Sequence, residues 1–171
     1  SNASICVGTS SGRYNNNAFS TSIGFDSGYS GAAAYSLNLG AYAGNVNSSI
    51  NSINLGREAG FTGCGSSSIS IGAFSAAKGN NSILISSSGT EEVVLGNNTI
   101  GLNAALSSTL NATNNNSFYV QPIRSATGTH TLQYNLITSE ITYASANLLN
   151  TNVVAVYSTD NFAATGSTWV R

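Results

Sequence analysis

Charge is what this sequence lacks most. Lys, Arg, Asp and Glu make up 6% of its 171 residues, against about a quarter in an ordinary soluble domain. With a net charge of −1 there is no basic field to hold a phosphate backbone, which argues against nucleic acid as a partner. One His and two Cys leave little to ligate a metal, and they do not cluster with carboxylates, so no metal and no cofactor are expected. No run approaches the roughly 20 apolar residues that span a bilayer as a helix, so membrane insertion is not expected. A single proline and no methionine complete the list of scarcities.

What is there instead is Asn, Ser and Thr, roughly two fifths of the chain. Bulk Ser, Asn and Gly with few charges is also the composition of disorder. Phased apolar residues argue against that for residues 4–100. Gly8, Gly24, Gly40, Gly56 and Gly72 stand sixteen residues apart, each closing a similar phrase, such as Leu37-Asn38-Leu39-Gly40 or Ile53-Asn54-Leu55-Gly56. A fixed period of this size means one supersecondary unit stacked on copies of itself.

With the ladder glycine numbered 16, position 15 is Val7, Ile23, Leu39, Leu55 and Ile71, and position 13 is Ile5, Thr21, Leu37, Ile53 and Ile69. Between them position 14 is Cys6, Ser22, Asn38, Asn54 and Ser70. Apolar, small polar, apolar is the pattern of a strand with one buried face. Ile23, Leu37, Leu39, Ile53, Leu55, Ile69 and Ile71 are therefore predicted to form the coil core. The glycine supplies a restricted backbone conformation where the coil turns. Small residues at positions 3 and 4 (Ser27-Gly28, Ala43-Gly44, Ala59-Gly60) let a second strand approach. Segments 14–17, 28–31, 45–49 and 60–65 read as turns. Each coil is then two short strands and two turns. Cys6 and Cys64 lie more than three coils apart, at about 4.8 Å per coil, so no disulfide is expected. So thin a coil buries little, and a second face buried against other chains is expected.

The phrases Ser52-Ile53-Asn54-Leu55-Gly56-Arg57-Glu58-Ala59-Gly60 and Ser68-Ile69-Ser70-Ile71-Gly72-Ala73-Phe74-Ser75-Ala76 resemble the head repeats of trimeric autotransporter adhesins. A later block, Ser117-Phe118-Tyr119-Val120-Gln121-Pro122-Ile123-Arg124 with Leu132-Gln133-Tyr134-Asn135 and Glu140-Ile141-Thr142-Tyr143, resembles one found in fibre-like proteins of giant DNA viruses and phages. The resemblance spans about residues 20–144. It departs at Ser86, where glycine is expected, and at Thr21, a predicted core position. It implies an all-β, left-handed parallel β-roll of 14- to 16-residue coils, followed by a small β cap and assembled as a homotrimer. It further implies a structural and adhesive part of a virion fibre or surface protein, at a virion-surface or extracellular location, meeting a host-surface glycan or protein. The expected organisation is 1–3 as a tag-cleavage remnant, 4–100 as roll, 101–116 as an irregular connection and 117–171 as a cap or neck. Within the last part, 117–123, 130–135 and 140–144 read as strands, with turns marked by Gly128 and Asn135, and Val153–Tyr157 is a further candidate.

Catalysis has thin support. His130 with Ser125 or Ser139 and Asp160 lacks a nucleophile elbow. Adjacent Glu91 and Glu92 point to opposite faces of a strand and read as a solvated turn. No enzyme is expected. The alternatives are a carbohydrate-active β-solenoid enzyme, which needs a carboxylate or Arg/Lys cluster, and an ice-binding solenoid, which needs a uniform Thr column. Tyr14, Phe25, Tyr29, Tyr35, Tyr42, Phe61 and Phe74 are candidates for a sugar-stacking platform. Sequons at Asn47, Asn97, Asn111 and Asn115 are expected by chance in so Asn-rich a chain.

Overall fold

The computed structural model describes residues 3–14, 17–105, 108–123 and 130–145. Among these the chain is all-β and has no helix. Strands are numbered in chain order. Eight form one parallel sheet: β1 (Ile5–Val7), β2 (Thr21–Ile23), β4 (Leu37–Leu39), β6 (Ile53–Leu55), β7 (Ile69–Ile71), β9 (Ile83–Ser86), β11 (Ile100–Asn103) and β12 (Phe118–Gln121). On a second side β3 (Ser30–Ala32) pairs with β5 (Val46–Ser48), and β8 (Ser75–Ala77) with β10 (Glu92–Val94), again in parallel. The result is a parallel β-solenoid of about seven turns. Strand β5 and all but the last residue of β3 fall within segments read as turns. Their backbones pair with neighbouring coils, and this rung-to-rung bonding outweighs local Asn and Gly turn propensity.

The register explains both the ladder and its apparent end. Partners Ile5, Thr21, Leu37, Ile53 and Ile69 follow at steps of sixteen, Ile83 after fourteen, Ile100 after seventeen and Phe118 after eighteen. The roll therefore continues past residue 100. Residues 101–103 and 118–121, expected to belong to a connection and a cap, are its last two rungs. Corners lengthen while the strands stay aligned, so a fixed-period reading loses the repeat although the fold keeps it.

The ladder glycines have φ between +115° and +133°. A Cβ on Gly40 would lie 2.5 Å from the carbonyl oxygen of Gly56, and one on Gly24 would lie 2.6 Å from that of Gly40. Each glycine thus answers two demands at once, a conformation open only to glycine and a close approach of the next coil. The following corner is left-handed as well, even at Tyr42, Glu58 and Phe74, with φ of 60° each. Rung-to-rung bonds hold it there: Tyr42 N donates to Phe25 O at 2.8 Å, and Phe74 N to Arg57 O at 2.9 Å.

Inside and outside are reversed from the sequence expectation. Ser22, Asn38, Asn54 and Ser70 at position 14 are fully buried in the roll. The predicted core residues Ile23, Leu37, Leu39, Ile53, Leu55, Ile69 and Ile71 face outward and are only half-buried or exposed, Leu39 by 44%. The cause is space. Gly28, Gly44 and Gly60 face position 14, and a Cβ on Gly28 would already overlap the Ser22 side chain. An interior this narrow accepts Ser, Asn and Ala but not a file of leucines. Asn54 Nδ2 donates to Asn38 Oδ1 at 2.8 Å, one coil away. Ser20, Ser36 and Ser68, just before their strands, turn Oγ back onto the carbonyls of Asn17, Ala33 and Gly65 at 2.6–2.9 Å. Towards the last rungs the interior becomes apolar, with Ala77, Leu84, Val94, Leu110 and Ala112 packed together against Tyr119.

The chain divides into two units, up to residue 124 and from 125 onward. In the second, β13 (His130–Asn135) and β14 (Glu140–Ser145) form an antiparallel hairpin with Leu132 opposite Tyr143 and Tyr134 opposite Ile141. Asn135 Oδ1 accepts the Ile137 amide at 2.8 Å and organises the turn. Gly128, Val153–Tyr157 and the rest of 146–171 lie outside the described residues.

Candidate interaction surface

Two columns of side chains cover the outer face of the eight-stranded sheet. One runs Ile5, Thr21, Leu37, Ile53, Ile69, Ile83, Ile100 and Phe118; the other runs Val7, Ile23, Leu39, Leu55, Ile71, Ile85, Leu102 and Val120. Thr21 is the one polar member and none is charged. Seven steps at about 4.8 Å make a strip roughly 34 Å long. Exposure reaches 57% at Ile5, 44% at Ile85 and 52% at Phe118. Single exposed apolar side chains are ordinary, but a continuous strip marks an interaction surface. All-parallel sheets are almost always covered on both faces. Here the roll interior covers one face and nothing among the described residues of the roll itself covers the other.

A second surface lies at the corner after the ladder glycine. Phe25 meets Tyr42 edge-to-face at 5.3 Å, and Tyr42 meets Phe61 at 6.2 Å. Next along the roll, Arg57 lies over the Phe74 ring at 4.3 Å and beside Glu58 at 3.7 Å. Glu58, Phe61, Thr62, Phe74, Ala76 and Glu91 line a groove of about 310 Å³. Elsewhere Tyr14 and Tyr29 meet edge-to-face at 5.1 Å, and the hydrogen bond to Tyr14 raises the Tyr29 phenol pKa. Phe19 and Tyr35 stack nearly parallel at 5.3 Å, both exposed. The candidate aromatics thus form separate groups, not one platform.

Glu92 departs from the expectation of a solvated turn. Glu91 is exposed, but Glu92 on β10 points inward and is fully buried. Its Oε2 accepts Asn103 Nδ2 at 2.7 Å and the Ser88 hydroxyl at 3.5 Å, and its Oε1 accepts the Leu110 backbone N–H. Carboxylate oxygens are acceptors only, and these donors satisfy them. Sealed from solvent, Glu92 acts as a bracket across three coil segments and not as an acid or base toward a substrate. Glu92→Gln places an amide nitrogen against groups that are themselves donors. It is expected to lower stability by about 2–3 kcal/mol, read as the shift of the urea midpoint.

His130 lies in β13 and Ser139 in the turn just before β14; Ser125 and Asp160, the other suggested partners, fall outside the described residues. No group of three His, Cys, Asp or Glu able to hold a metal occurs among the described residues. Cys64 is buried with its Sγ 3.6 Å from Asn54 Nδ2, Cys6 is exposed, and neither forms a disulfide. Asn97 and Asn115, two of the sequon asparagines, belong to an outer ladder: Asn80 N donates to Asn97 Oδ1 and Asn97 N to Asn115 Oδ1, both at 2.8 Å. Beside it Asn81, Asn98 and Asn116 chain their carboxamides at 3.2 and 2.9 Å. Sequence reasoning missed both ladders, although Asn-Asn recurring at 80–81, 97–98 and 115–116 carried the signal.

No family model, no curated protein and no solved structure matches the chain.

Proposed function

We propose that this chain is a structural and adhesive module that assembles through the outer face of its parallel sheet into a homotrimer, as a left-handed β-roll of a surface fibre. The observation that carries the reading is the 34 Å apolar strip. A face apolar at every position but Thr21, and left uncovered by the described residues of the roll, calls for a partner, and a second copy presents the same face. The interior adds to the need. Ser22 Oγ, Ser52 Oγ and Asn54 Oδ1 are buried without a protein partner, each at a cost of about 1–3 kcal/mol, while few large apolar side chains are enclosed. The hairpin, taken by itself, has the same deficiency. Leu132, Tyr134, Ile141 and Tyr143 occupy one of its faces and are 56–80% exposed, and an isolated two-stranded hairpin is marginal in water.

The resemblance to trimeric adhesin heads supplies the number three, the left hand and the virion-surface context. Polar Asn, Ser and Thr on the remaining surface suit display toward a host glycan or protein. Light scattering on the purified chain at micromolar concentration is expected to give three times the 17.4 kDa chain mass. A monomer would overturn the assembly, and a dimer would overturn the count.

A further inference from the structure

We propose that the groove formed where the roll shortens binds one pyranose ring of a neutral saccharide, a proposal that rests on the adhesive reading and gives it a site. The groove arises from the change of pitch. The coil between Ile69 and Ile83 has fourteen residues, where the four before it have sixteen. On the second side of the roll the same place interrupts the strands: β3 and β5 form one pair, β8 and β10 another. The coil between contributes two tight turns instead, with Phe61 N donating to Glu58 O at 3.2 Å and Gly63 N to Gly60 O at 3.1 Å. Glu58, Phe61 and Thr62 of these turns line the groove together with Phe74 and Ala76 of the short coil and Glu91 of the next.

The chemistry gathered there is unusual for this chain. Only eleven Lys, Arg, Asp and Glu occur in all, and three of them, Arg57, Glu58 and Glu91, stand at or beside this groove with two phenyl rings. A volume near 310 Å³ is at the small end of ligand sites and suits a single ring-sized group. The carboxylates can only accept hydrogen bonds, so they call for a ligand rich in donors, as vicinal hydroxyls are. Arg57 offers donors to ring or glycosidic oxygens, and the exposed Thr62 hydroxyl offers both functions. Phe61, which meets Tyr42 only edge-to-face, offers an apolar surface to the C–H side of a pyranose. An ammonium ligand fits less well. Arg57 already occupies the face of Phe74 and already neighbours Glu58, so the cation position is filled by the chain itself. An acidic sugar would meet two carboxylates.

The test uses the whole 171-residue protein and amide-shift titration with a panel of neutral methyl hexopyranosides. Glucosamine and N-acetylneuraminic acid serve as the charged arms. At least one neutral hexoside is expected to shift the amides of Phe61, Thr62 and Phe74, with a dissociation constant on the order of millimolar, as for small ligands with few contacts. Phe61→Ala and Glu91→Gln are each expected to weaken that binding roughly fivefold. Glu91 is exposed, so its variant stays informative if Phe61→Ala fails to fold. Response to glucosamine or to the acidic sugar alone, no response to any sugar, or binding indifferent to both substitutions would overturn the proposal. Mass measured on the same samples separates the two readings. An intact trimer without sugar binding removes the groove and leaves the assembly; sugar binding by a monomer does the opposite.

Discussion

Gly40→Ala is expected to destabilise the roll by at least about 3 kcal/mol, combining a backbone conformation closed to other residues with a displaced neighbouring coil. At φ +133° the alanine is strained whatever the space, and its Cβ would stand 2.5 Å from Gly56 O and 2.7 Å from the carbonyl carbon. The obstacle is backbone, so no rotamer change relieves it, and moving Gly56 disturbs Gly72 in turn. Thermal unfolding followed by circular dichroism should fall by roughly 6–12 °C for a chain of this size. Gly89→Ala is the control. Its φ of +72° carries strain, but nothing lies within 4 Å of the added Cβ, and about 1 kcal/mol is expected. Equal losses at the two positions would show that coil contact contributes nothing and that conformation alone accounts for the ladder.

The double substitution Leu39→Asp and Leu55→Asp is expected to abolish assembly at micromolar concentration while leaving the coil folded. Both side chains point away from the roll, and Leu39 is 44% exposed in the single chain, so a carboxylate there meets water as long as the chain is alone. In an assembly each Leu contributes about 1.5–3 kcal/mol of burial, and each unpaired Asp costs several kcal/mol more. Three chains multiply the penalty. Light scattering should report the single-chain mass with an unchanged far-ultraviolet spectrum. A trimer surviving both substitutions would mean that another face holds it together. Loss of the folded spectrum would mean that these positions stabilise the coil itself, as the sequence alone suggested.

That last contrast shows what the sequence could and could not tell. Glycine at position 16 was legible because only glycine satisfies its geometry, and the physical demand leaves a unique residue at a fixed step. The direction in which Leu37, Leu39, Ile53 and Leu55 point was not. Alternation identifies two faces of a strand but does not say which is inside, and the usual choice of the apolar face assumes an interior wide enough to hold it. The width is set by residues elsewhere in the coil, Gly44 against Asn38 and Gly60 against Asn54. From the sequence these glycines read as room for a second strand to approach, not as the limit on what the interior can hold. The last rungs were hidden because seventeen- and eighteen-residue coils break a sixteen-residue count. The groove was hidden for a different reason. Phe61 and Glu91 are thirty positions apart, and only the shortened coil brings them to one place. Glu92 looked solvated because its satisfying donors, Asn103 Nδ2 and the Leu110 amide, lie in the lengthened coils that no period announced.

The direction of the backbone hydrogen bonds has a mechanical consequence. In every turn the strands lie across the roll and their bonds run along its axis, from one coil to the next. Tension applied at the two ends of a single roll would load those bonds one rung at a time, like a zipper, because each coil is held chiefly by its neighbours. Apolar strips packed lengthwise between chains would be loaded in shear instead, with many rungs resisting together. Lateral association would then turn a stack that peels easily into a cable.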